Sequence, residues 1–137
     1  MKTYNLTKED KKLVEEAKKI ILKSRPVNLN DTGDIGVALV TSKGNIFSGV
    51  SIGHVCGIGS CAEYQAIGSM ISNGEKEIKT LIAVSLNGRI VPPCGKCREM
   101  MYQTCKKNLN AYIAISNTKK VKLMELLPLP WGGTIEK

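Results

Sequence analysis

Histidine occurs once in the 137 residues, and aromatic side chains make up only 4%, with a single Phe and a single Trp. A surface that binds nucleic acid by stacking bases has little to build on. No apolar run approaches the ~18 residues needed to cross a bilayer. The longest, residues 35–40, is already broken by Gly36. Five Pro and 13 Gly fall short of a low-complexity bias, and no repeat or linker divides the chain. Disordered, collagen-like and helical membrane-spanning classes are therefore excluded, and the length suits one domain covering residues 1–137. Residues 1–16 mix Lys with Glu and Asp and hold no apolar stretch followed by small residues, so no secretory leader is expected. The expected location is cytoplasmic.

What the chain does have is basic charge and thiols. Twenty Lys and Arg against 12 Asp and Glu give a net charge of +8. The excess sits on expected helix surfaces and ends (Lys8, Lys11, Lys12, Lys18, Lys19, Lys106, Lys107, Lys119, Lys120), which reads as a solvated surface and argues against a nucleic-acid partner. The five cysteines (Cys56, Cys61, Cys94, Cys97, Cys105) are odd in number and include one C-x-x-C, a pattern that in a reducing compartment favours metal or thiol chemistry over disulfides.

Thr7, with Glu9 and Asp10 after it, caps an expected helix over residues 7–23 whose Leu13, Val14, Ala17, Ile20 and Ile21 share one face. Residues 35–40 and 46–52 flank Ser42-Lys43-Gly44-Asn45 and read as a β-hairpin. Ser60 is the expected cap of a second helix that carries Ala62, Ala66, Ile67, Met70 and Ile71 and stops at Asn73-Gly74. Residues 81–85 form a buried strand, a third helix runs from about Cys94 to the Lys106-Lys107-Asn108 end, and residues 111–115 form a further strand. The stretch 121–131, with Pro128 and Pro130, holds at most a short strand or helical turn. The order α-β-β-α-β-α-β predicts an α/β fold with one mixed sheet flanked by helices.

Cys61-Ala62-Glu63 opens one of these helices and Pro93-Cys94-Gly95-Lys96-Cys97 the next. Thiols at helix N-termini ionise readily, because unpaired N–H groups and the positive end of the dipole favour the thiolate. In α/β folds such junctions gather at the carboxyl ends of neighbouring strands, which can bring Cys61 to Cys94 and Cys97. Three protein ligands leave the fourth tetrahedral position of a zinc ion to water, as in catalytic sites. Glu63 is then placed to move protons without binding the metal. Zinc held by three cysteines, or by one histidine and two cysteines, beside a non-ligating Glu is the known layout of zinc nucleobase deaminases.

At these residues the chain resembles the cytidine deaminase family, in particular its small three-cysteine branch acting on free nucleosides, which includes blasticidin S deaminase. Phe47-Ser48-Gly49-Val50-Ser51-Ile52 is similar to the family's F-T-G-V-N-V, Cys61-Ala62-Glu63 to C-A-E, Pro93-Cys94-Gly95-Lys96-Cys97-Arg98 to P-C-G-x-C-R, and residues 125–131 to E-L-L-P-x-x-F. The resemblance implies a three-layer α/β/α fold, one zinc per subunit and a homotetramer with active sites near subunit interfaces. It also implies hydrolysis of cytidine or deoxycytidine to uridine or deoxyuridine plus ammonia, as in pyrimidine salvage. Glu63 would be the proton shuttle, the Ala62 backbone would hold the base edge, and Trp131 would help close the pocket.

The chain also departs from the family pattern. The Asn and Glu that hold the ribose hydroxyls correspond to Ser51 and Gly53, and His54 replaces a following Asn, as in blasticidin S deaminase. A modified cytosine nucleoside or nucleoside antibiotic such as blasticidin S is thus the alternative substrate. Tyr64 stands where three-cysteine members carry Arg, and Gly33 where they carry a base-stacking Phe.

Other readings of the same residues stay open. Ser60 and Glu63 fit a capping box. Cys94 and Cys97 could be a thioredoxin-like pair, and Cys56 with the three other thiols could close a structural zinc site in a binding module. His54 is either a pocket wall or a loop residue, Trp131 a lid or a tail anchor. Cys56 and Cys105 are expected to be buried apolar groups, and Met100, Met101 and Tyr102 core or interface packing.

Overall fold

The computed structural model describes residues 1–27 and 29–132. The end of the expected domain, residues 133–137, lies outside them.

In chain order the elements are β1 (Tyr4–Asn5), α1 (Lys8–Ser24), β2 (Ile35–Thr41), β3 (Ile46–Val50), α2 (Ala62–Ser72), β4 (Ile78–Ser85), α3 (Gly95–Thr104), β5 (Tyr112–Ala114), β6 (Lys119–Lys122) and the single turn α4 (Leu123–Leu126). The strands form one sheet in the order β1-β6-β5-β4-β2-β3. β4 and β5 run parallel, joined by the crossover through α3, while the other neighbours are antiparallel.

β2 and β4 are central, and their alternation divides the core into two layers. Val37, Leu39, Leu81 and Ala83 face Ala62, Ala66, Ile67 and Met70 of α2 and Met101 of α3. Ala38, Ile82 and Val84 face Leu13, Val14, Ala17 and Ile21 of α1. Because both faces are covered, these strands read as nearly continuous apolar runs. The result is the expected three-layer α/β/α arrangement around a mixed sheet.

α1 begins with a complete capping box: the Asp10 N–H donates to Thr7 Oγ1 (3.2 Å) and the Thr7 N–H to Asp10 Oδ2 (2.8 Å). Asp10, only 4% exposed, also accepts from Lys120 Nζ at 2.7 Å, tying the helix to β6. On the other face α2 sits tight against β3. A Cβ on Gly49 would lie 2.4 Å from Gln65 Cβ and 2.8 Å from the Ala66 nitrogen, so glycine sets this approach.

Several local expectations are corrected. Cys61 caps α2, not Ser60, whose N–H is taken by the Ile52 carbonyl (2.8 Å) in a bridge following β3. β3 accordingly stops at Val50, and Ile52 belongs to that bridge. The third helix ends at Thr104 and gives way to a 3-10 turn over Lys106–Asn110. There Asn108, fully buried, accepts from the Ile78 N–H (2.8 Å) and donates to the Met101 and Lys76 carbonyls (2.9 and 3.0 Å). β1 has no counterpart in the expected order; two residues carry no readable period. No helix among the described residues is long and apolar enough to cross a membrane.

Candidate metal centre

Cys61 is the N-cap of α2 and Cys94 the N-cap of α3, with Cys97 one turn further along α3. The two helix N-termini meet at the same end of the sheet. Cys61 Sγ lies 3.9 Å from Cys94 Sγ, and Cys94 Sγ lies 3.5 Å from Cys97 Sγ. All three sulfurs fall within 4.8 Å of one another. Zn–S bonds of ~2.3 Å at tetrahedral angles require sulfurs about 3.8 Å apart, so the donor set fits zinc. No fourth His, Cys, Asp or Glu joins the group among the described residues. The layout is that of an open zinc site, and its chemistry that of a zinc-dependent hydrolase.

The thiols have distinct environments. Burial pushes the Cys97 thiol far up, and the nearby Glu63 charge adds to this. Cys61 is also raised, chiefly by burial. At Cys94 burial acts in the same sense, but hydrogen bonds from the Cys97 amide, from the Cys97 and Cys61 thiols and from the Lys96 amide together bring the thiol below its ordinary value. Cys94 is thus the sulfur readiest to meet a cation, and binding it favours the thiolate forms of its neighbours.

Glu63, in the first turn of α2, is 5% exposed. Burial raises its pKa, partly offset by hydrogen bonds from its own backbone and the Cys97 side chain. The capping-box alternative is not formed, because the Ser60 N–H goes to Ile52 and the Ser60 hydroxyl pairs with the Cys61 carbonyl and Gln65 Nε2. Glu63 instead lines a cavity of about 220 Å³ together with Ile35, Ser51, Cys61, Ala62, Val91, Pro92 and Cys94.

Ser51 and Ala62 line this cavity. Ser51 Oγ accepts the Ile35 N–H at 3.1 Å, which fixes the hydroxyl at the wall. His54 is exposed, and neither it nor Trp131 lines the cavity. Trp131 is 79% exposed, its N–H donating to Glu99 Oε1 on α3 at 2.7 Å. Ile35, Val91 and Pro92 escaped the sequence reading, although Val91-Pro92-Pro93 directly before the first thiol of the C-x-x-C was a usable signal.

Cys56 is a correction. It is exposed and not buried, in a turn at φ +59° between the exposed Val55 and Ile58, and it does not join the sulfur group. A four-sulfur structural site is thus not assembled. Cys105 is half-buried at the end of α3 and also stays outside. Met101 is core, as expected. Arg98 donates through Nε to the Pro93 carbonyl (2.8 Å) and through Nη1 to the Leu126 carbonyl (3.3 Å), bracing the loop that presents Cys94.

Residues 7–113 match the family described as the cytidine and deoxycytidylate deaminase zinc-binding region. The chain is 36% identical to the blasticidin-S deaminase of Bacillus cereus over 96% of its own length and 98% of that protein's. It is 30% identical to a cytidine deaminase of Halalkalibacterium halodurans over 69% of this chain and 74% of that one. The crystal structure of cytidine deaminase from Mycobacterium leprae superposes with a TM-score of 0.74 at 24% identity, covering 90% of this chain and all (100%) of that one, a likeness of fold.

Proposed function

Because the chain belongs to the cytidine and deoxycytidylate deaminase zinc-binding family, we propose that it is a single-domain aminohydrolase that replaces the 4-amino group of a free cytosine nucleoside with oxygen, consuming water and releasing ammonia. The observation that carries this reading is the buried Glu63 lining one cavity with two of the three clustered thiols.

Zinc bound by Cys61, Cys94 and Cys97 would supply the Lewis acidity that makes water a nucleophile near neutral pH. Glu63 takes a proton from that water, delivers it to N3 of the pyrimidine, and then moves the second proton to the departing amine. A carboxyl whose pKa is raised by burial suits this relay, since it must be both a competent base and a competent acid. The Ala62 backbone, at the cavity wall beside Glu63, holds the base edge. Ile35, Val91 and Pro92 enclose the ring and exclude water.

We further propose that the preferred sugar is not plain ribose. Gly53 stands where the family's ribose-binding Glu is expected. A Cβ there would lie 2.1 Å from the Asn30 carbonyl oxygen, so the loop ahead of β2 occupies that space. This, and the 36% identity over nearly the whole length to blasticidin-S deaminase, supports a modified nucleoside of the blasticidin S type. Plain cytidine or deoxycytidine, with a role in pyrimidine salvage, is the second reading. The thiols also favour a reducing, cytoplasmic setting, because Cys94 and Cys97 lie close enough to be oxidised elsewhere.

Self-association as a homotetramer is supported by exposed apolar side chains at Val55 (71%), Ile58 (71%), Leu129 (65%) and Trp131 (79%). His54 and Trp131 do not line their own chain's cavity, and the reading in which they contact substrate requires that they do so across a subunit boundary.

The test is ammonia release by zinc-loaded protein across cytidine, deoxycytidine, cytosine and blasticidin S. The expected ranking by kcat/KM puts blasticidin S at least about tenfold ahead of cytidine, as for lost hydroxyl-reading groups. Cytidine leading would overturn the sugar reading and leave the reaction standing. No release from any of the four would overturn the reaction.

A further inference from the structure

Loaded with zinc, three thiolates and a dication sum to a charge of −1, which weakens the metal's pull on electrons and calls for a nearby positive group. The guanidinium of Arg98 is held by the Pro93 and Leu126 carbonyls. A second cation, Lys96, lies between Cys94 and Cys97 in the sequence, on the first turn of α3. Lys96 is exposed, and its Nζ rests over the Tyr64 ring, 4.6 Å from the centroid. Tyr64 follows Glu63 on α2. The contact therefore spans the two helices whose N-termini supply the three sulfurs, at a place where α2 and α3 pack only lightly. Glu99, which lines the same shallow depression as Tyr64 and Lys96, has its carboxylate oxygens engaged by the Trp131 N–H and by Gln103 Nε2.

We propose that Tyr64 and Lys96 are a positioning pair for the metal: the cation–π contact fastens α2 to α3 at the sulfur spacing zinc requires and fixes a positive charge beside a cluster of net charge −1. Each half of the pair makes the other effective. Without the ring the ammonium is free to swing away, and without the ammonium the ring links nothing. The inference rests on zinc binding by the three thiols and is independent of which nucleoside is the substrate.

The experiment measures zinc affinity of the full chain by competition with a chromophoric chelator, at low and high salt, for Lys96→Met, Lys96→Arg, Tyr64→Leu and Tyr64→Phe. Outer-sphere partners of metal sites are typically worth 10- to 100-fold in affinity. Lys96→Met and Tyr64→Leu are expected to weaken zinc at least about tenfold, while Lys96→Arg and Tyr64→Phe hold it within a few-fold. The Lys96→Met deficit should shrink at high salt, because an exposed charge is screened. The thermal midpoint of the zinc-free protein should not move for Lys96→Met. Affinity for Lys96→Met within twofold of the parent would overturn the proposal, as would an equal loss in Lys96→Arg. Should Tyr64→Leu fail to fold, the two Lys96 variants alone decide. Zinc affinity is read without turnover, so failure here is distinguishable from a wrong substrate.

Discussion

Glu63, Cys97 and Cys56 separate by role once each is changed alone. Glu63→Gln keeps the size and removes the titratable carboxyl, so zinc content should stay at one per chain while turnover falls by at least about 10²-fold, the lower range for a lost acid–base group. Metal analysis and ammonia release on the same sample check both halves. Cys97→Ser should release zinc, because its sulfur is buried inside the cluster and serine is a poor ligand for a soft site. Cys56→Ser should keep zinc and activity, since Cys56 lies outside the group; zinc loss from Cys56→Ser would revive the closed four-sulfur site. The thiol pattern and C-A-E were readable at this scale because ligand type and helix-start position are local properties. The capping-box alternative for Glu63 was equally readable. It fails only because a residue from β3's extension, Ile52, claims the Ser60 amide.

Among the elements, α1 and the 3-10 turn after α3 carry polar groups that hold the layers in place. Lys120 and Asp10 are 8% and 4% exposed and meet at 2.7 Å. Lys120→Met strips Asp10 of its cation and should destabilise the fold by about 3–5 kcal/mol, as for one partner of a buried pair. Adding Asp10→Asn should recover part of that loss, because the buried charge is then gone while a capping side chain remains. Urea unfolding of the single and double variants measures both. Asn108→Ala removes the partner of three backbone groups on α3, β4 and its approach, and at about 1–3 kcal/mol for each buried group left unpaired the loss should exceed about 3 kcal/mol. The α1 cap, the hairpin and the buried strands were legible because periodicity and turn chemistry act within a dozen residues. The end of α3 was not, since Asn108 reads as a surface Asn until Ile78 and Met101 are brought to it.

For the molecule as a whole, the proposed assembly is the property most open to a direct check. Light scattering of the zinc-loaded protein should give a tetramer mass, and Val55→Asp with Ile58→Asp should reduce it toward a monomer with zinc retained. A monomeric parent protein would remove the proposed neighbour contact of His54 and Trp131 with the cavity. The sheet order β1-β6-β5-β4-β2-β3 brings Cys61 and Cys94, 33 positions apart, to 3.9 Å. The chemistry was set by the sequence alone: soft ligands at two helix starts, a carboxylate beside one of them, and apolar strands covered on both faces, all of which follow from residue type and short spacing. The tertiary structure decided which thiols meet, that Cys56 does not, that Glu63 faces the cavity rather than its own helix start, and that Lys96 crosses to Tyr64. Those outcomes depend on distances through space between segments far apart in the chain, and those distances are fixed only when both faces of the sheet are packed.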